Sequence, residues 1–131
     1  MNDVLSWLYD YCSKNDIMVQ HINYLGSHAP SMAYTYPRLI TFNDSWYNDD
    51  EKPFMLAHEI GHVMCGTTIC YNTQNHKLSI SKNECEHDAN IFAIKLLKKY
   101  CAENGIHYDN AVQFAEAFAI PKKCFYLLEK V

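Results

Sequence analysis

The spacing of apolar residues changes several times along this chain, and each change marks an element. Val4, Leu5, Leu8, Tyr11 and Cys12 recur at helical spacing with Trp7 beside them, which predicts an amphipathic helix over residues 2–14. Residues 17–25 are rich in β-branched and aromatic side chains and read as a strand. Residues 26–31 supply a turn. Residues 32–36 and 38–43 read as two more strands around Pro37, whose missing N–H suits a bend or an edge.

A polar loop with Trp46 and Tyr47 follows. Asp50 can cap the next helix, Glu51 favours its positive end, and Pro53 is tolerated in its first turn. That helix should run through Cys65, with Gly66 as its stop, before an irregular stretch over residues 67–80. Ser81-Lys82-Asn83-Glu84 has the spacing of a capping box. The helix it opens carries Cys85, Ala89, Phe92, Ala93, Leu96 and Tyr100 as one stripe, until Asn104-Gly105 breaks it. Short helices near 109–119 and 121–130 complete the chain. Helix, small sheet, then helices indicates an α+β fold, with a small, mainly antiparallel sheet packed on helices. No repeat or linker-like break interrupts it, so residues 1–131 are expected to form one domain.

Composition narrows the function classes. Hydrophobic residues are 49% and charged residues 20%, which excludes wholesale disorder. A net charge of −4 argues against direct nucleic-acid binding. Lys95, Lys98 and Lys99 cluster near a helix end, where cations complement the dipole. No run approaches the ~18 apolar residues of a membrane span, and Met1 to Trp7 resembles no export signal, so a cytoplasmic location is expected. The six cysteines, none in a Cys-x-x-Cys pair, should then remain reduced, most of them as small core residues.

The chemistry centres on His58-Glu59-Ile60-Gly61-His62. Two histidines four residues apart share one helix face and can bind one metal ion. Neutral imidazole suits Zn²⁺, and three protein ligands leave a fourth position for water. Glu59 can act on that water as a general base. Apolar neighbours on both sides of the motif strengthen this reading, because polar groups on a largely buried helix need partners. Gly61 costs about 0.8–1.0 kcal/mol against Ala in a helix, so its presence suggests a close approach by another backbone or a ligand. The third ligand should come from the next helix, where Glu84, Glu86, His87 and Asp88 compete. Glu86 is favoured, because Glu84 belongs to the capping box and Asn90, at i+4 from Glu86, can hydrogen-bond a ligand histidine. Asp88, Glu84 and His87 stay open as alternatives.

Three elements in order resemble the ImmA/IrrE-type metallopeptidases of phages and mobile elements. They are Ile40-Thr41-Phe42-Asn43, then Phe54-Met55-Leu56-Ala57 running into the histidine motif, then Glu86-His87-Asp88-Ala89-Asn90-Ile91-Phe92-Ala93. The resemblance spans residues 38–97. It implies a compact zincin-like domain and a zinc endopeptidase, with His58, His62 and Glu86 as metal ligands and Glu59 as the base. It also implies a protein partner, a helix-turn-helix repressor that is cleaved or inactivated. No helix-turn-helix segment accompanies the motif here, and Cys65-Gly66 stands where the family often carries a histidine. A second reading is a regulatory protein with a structural zinc that sequesters its partner without cleavage. Peptide is expected to pair along an exposed strand over residues 38–43. For stabilising the oxyanion, Tyr71, His76, His107 and Tyr108 are equal candidates.

Overall fold

The computed structural model describes residues 2–65 and 78–130. Helix α1 (Asn2–Lys14) leads into β1 (Met18–Ile22), β2 (Met32–Tyr34) and β3 (Leu39–Asn43). A 3-10 turn (Asp49–Glu51) precedes α2 (Lys52–Cys65). Then come α3 (Leu78–Glu103), α4 (Ala111–Ala117) and a C-terminal 3-10 segment (Lys122–Lys130). The α+β class read from the sequence is the one observed, and α1 has the expected bounds.

The sheet is three-stranded and mixed, in the order β1-β3-β2. The antiparallel pairing expected of it holds between β2 and β3, with Ala33 opposite Ile40. β1 instead runs parallel to β3, with Val19 beside Ile40. Parallel neighbours need a long crossover, and here the crossover contains β2 itself. One consequence corrects an expectation. β3 is the central strand, hydrogen-bonded on both sides, so it has no free edge for a peptide. The edge beside α2 is β2.

Alternation along β3 sends Ile40 and Phe42 into the core, both essentially without exposure. Val4, Leu8 and Cys12 meet them from α1, and Leu56, Ala57, Ile60 and Val63 from α2. The stripe on α3 is broader than its sequence period suggests. Ile94, Leu97 and Cys101 are buried together with Ala89, Ala93 and Leu96. One side of the helix packs on α2, while Phe114, Phe118, Leu127 and Leu128 cover another part of the same core. Burial around so much of its circumference blurs its amphipathic signal.

Local capping differs from expectation at two places. The Asn48 side chain, not Asp50, caps the turn into α2, its Oδ1 accepting from the Asp50 N–H at 3.0 Å. α3 starts at Leu78, which leaves Ser81 inside the helix. Serine is tolerated in helix interiors, so a capping-box pattern does not by itself stop a helix from extending upstream. Gly66 and most of the stretch read as irregular lie outside the described residues. The cysteines also depart from expectation. Cys12, Cys65, Cys101 and Cys124 are free, but Cys85 is disulfide-bonded. Spacing along a chain does not reveal which thiols tertiary packing brings together. Among the described residues no helix is long and apolar enough to cross a membrane.

Candidate metal centre

The candidate site lies where α2 meets α3, and Gly61 lets the two approach. A Cβ at Gly61 would stand 2.8 Å from the Ala89 carbonyl oxygen and 3.0 Å from the Ala89 Cα. The close backbone expected from the sequence is therefore that of α3. Helical spacing on α2 turns His58 and His62 to the same side, one turn apart, with their Nε2 atoms 3.1 Å apart. From α3, Glu86 places Oε2 2.9 Å from His58 Nε2 and 3.5 Å from His62 Nε2.

This donor set fits a divalent metal. Zinc–nitrogen bonds of about 2.0–2.1 Å place adjacent ligand atoms of a tetrahedron roughly 3.3 Å apart, and the three observed separations bracket that value. Two imidazole nitrogens facing each other, with His62 only 3% exposed, need a shared proton or a cation between them. The Asn90 Oδ1 accepts from His58 Nδ1 at 2.7 Å, which leaves the Nε2 lone pair for a ligand. Burial alone would lower the His58 pKa, but its hydrogen bond to Glu86 and the nearby carboxylates outweigh burial and raise it.

Among the described residues, His58, His62 and Glu86 are the group able to hold a metal ion. Of the alternatives for the third position, Glu84 and Asp88 are exposed and His87 turns to Tyr126. Glu59 lines the adjacent cavity. Burial pushes its carboxyl up to about 7, with the His58 charge opposing and the Glu86 charge adding to the rise. A carboxyl so placed can exchange a proton near neutral pH.

The cavity has a volume of about 500 Å³. Pro30, Ser31 and Trp46 form one wall, α2 and α3 contribute Glu59, Glu86 and His87, and the C-terminal segment closes it with Lys123 and Tyr126. Asn43, at the end of β3, organises the first wall. Its side-chain amide donates to the carbonyls of Gly26 at 3.0 Å and Ala29 at 2.8 Å, while its backbone N–H donates to Ser31 Oγ at 2.9 Å. In the sequence Asn43 stands out only as the end of the strand element that carries the family resemblance. Of the oxyanion candidates read from the sequence, the two that are described, His107 and Tyr108, do not line the cavity. His107 is exposed, Tyr108 packs against Phe114 and Phe118, and Tyr71 and His76 lie outside the described residues. The sequence reading overlooked Tyr126, which does line it.

Comparison with curated proteins and with solved structures yields no match. Comparison with protein families yields Peptidase_M78, the IrrE N-terminal-like domain, over residues 12–122. That match takes in the whole sheet, both helices of the metal centre and the start of the C-terminal segment. Since it covers most of the chain, this protein belongs to the IrrE N-terminal-like peptidase family.

Proposed function

We propose that this protein is a zinc-dependent endopeptidase acting on a helix-turn-helix repressor. The observation that carries this reading is the convergence of His58 Nε2, His62 Nε2 and Glu86 Oε2 beside the Glu59 carboxyl in an open cavity. His58, His62 and Glu86 would hold the zinc ion, which would supply Lewis-acid activation of the scissile carbonyl and of water. His58, kept in one tautomer by Asn90, and the buried His62 fix the ligand geometry. Glu59 accepts a proton from the attacking water and delivers it to the departing amine. Substrate backbone pairs with the outer edge of β2, because Pro30 and Ser31, which lead into that strand, also line the cavity. The repressor as substrate rests on the family resemblance. Such a substrate supports a reaction in the cytoplasm, where the Cys85 disulfide would meet reducing thiols.

Glu59→Gln tests this reading. Gln is nearly isosteric but cannot take the proton at neutral pH. The zinc-loaded wild type should cut a helix-turn-helix repressor encoded beside its gene. The variant should bind the same zinc and lose roughly 10²–10⁴-fold in rate. Fragments are followed by mass spectrometry. Tight complex formation without cleavage by either protein would replace this reading with sequestration.

A further inference from the structure

The cavity that His58, Glu59 and Glu86 line also holds a pair that the mechanism above does not use. Tyr126 and His87 both line the cavity, and the Tyr126 hydroxyl lies 3.1 Å from His87 Nδ1. The two rings stack with centroids 6.0 Å apart and an interplanar angle of 27°. His87 directly follows Glu86 on α3, so this contact ties the phenol to the helix that carries the proposed third ligand. Tyr126 itself is 56% exposed, which leaves its ring and hydroxyl accessible to a bound peptide.

Resting on the peptidase reading, we propose that Tyr126 is a catalytic residue whose hydroxyl donates a hydrogen bond to the oxyanion of the tetrahedral intermediate, with His87 as its positioning residue. Peptide hydrolysis needs such a donor. Water adds to the scissile carbonyl carbon, its proton passes to Glu59, and the carbonyl oxygen takes on negative charge. The C–N bond then breaks, the amine receives the proton from Glu59, and a carboxylic acid is left. Negative charge thus grows on one oxygen midway, and a donor fixed beforehand stabilises it without reorganisation. With the proton on Nδ1, His87 donates to the phenol oxygen and directs the phenol's own proton to the substrate. The C-terminal 3-10 segment is then part of the active site and not only a cover for the core.

The test uses the zinc-loaded full chain and a matched pair of ligands. One is a phosphinic peptide, which mimics the tetrahedral oxyanion, and the other is the peptide amide of the same sequence. Calorimetry gives affinity for the first, and cleavage gives kcat and KM for the second. Tyr126→Phe should keep one zinc per chain and an unchanged KM, while kcat falls about 10²–10³-fold, the usual loss for one oxyanion donor. Affinity for the phosphinic peptide should fall with it. His87→Ala should show a smaller loss of the same kind, and His87→Asn, which retains an N–H near Nδ1, should recover part of it. Wild-type kcat and phosphinic affinity in Tyr126→Phe, with Glu59→Gln inactive, would overturn the role of Tyr126 alone. A wild type that neither cleaves the amide nor binds the phosphinic peptide overturns the peptidase reading and this proposal together.

Discussion

Each ring nitrogen of His58 has a separate task, and the site depends on that division. Nδ1 is occupied by Asn90 and Nε2 turns to His62 and Glu86. Glu59, the next residue, points into the cavity, where burial pushes its carboxyl up to about 7. The pH dependence of cleavage follows from that shift. A base must be ionised to accept a proton, so kcat/KM should climb as pH rises through the Glu59 pKa. A bound dication nearby favours the carboxylate and moves this limb downward. The acidic limb should therefore lie at or below about pH 7. A pH profile of kcat/KM checks this, and activity that rises toward acid would contradict it.

At the scale of elements, the spacing between α2 and α3 sets the geometry of the metal centre, and Gly61 sets that spacing. Gly61→Ala should gain about 0.8–1.0 kcal/mol in helix propensity. It should lose more, because the new Cβ meets the backbone of Ala89 at 2.8 Å, not a side chain free to turn away. Overpacking of this kind costs typically about 1–3 kcal/mol. A net destabilisation is expected in urea unfolding of the metal-free protein, together with weaker zinc binding as Glu86 is pushed from His58. A variant as stable as the wild type would show that the two helices separate at no cost.

For the molecule as a whole, periodicity was informative wherever a relation is local. The helical period placed His58 and His62 on one face, and put Asn90 one turn after Glu86, where it could support a ligand histidine. Alternation marked Ile40 and Phe42 as facing inward. It could not say which strand lies next to which, so the central position of β3 and its parallel pairing with β1 came only from the fold. Tyr126 stands 39 residues from His87, and no local period links them. The cysteines show the same limit, and their reactivity tests the whole arrangement. In the native protein the exposed Cys65 should be alkylated well before Cys12, a buried thiol pushed up to about 12, and Cys85 only after reduction. Rapid labelling of Cys12 would mean that the packing of α1 on the sheet is looser than described. The central claim is that three side chains from two helices hold one metal ion. Calorimetric titration of zinc into the metal-free chain, repeated with Glu86→Ala and Glu84→Ala, tests it most directly. One site per chain is expected. Glu84→Ala should bind zinc like the wild type. Glu86→Ala should lose more than the roughly 10–100-fold that removal of a ligand's supporting partner costs. A chain that binds no zinc, or one that loses it with Glu84 and keeps it without Glu86, would contradict the account.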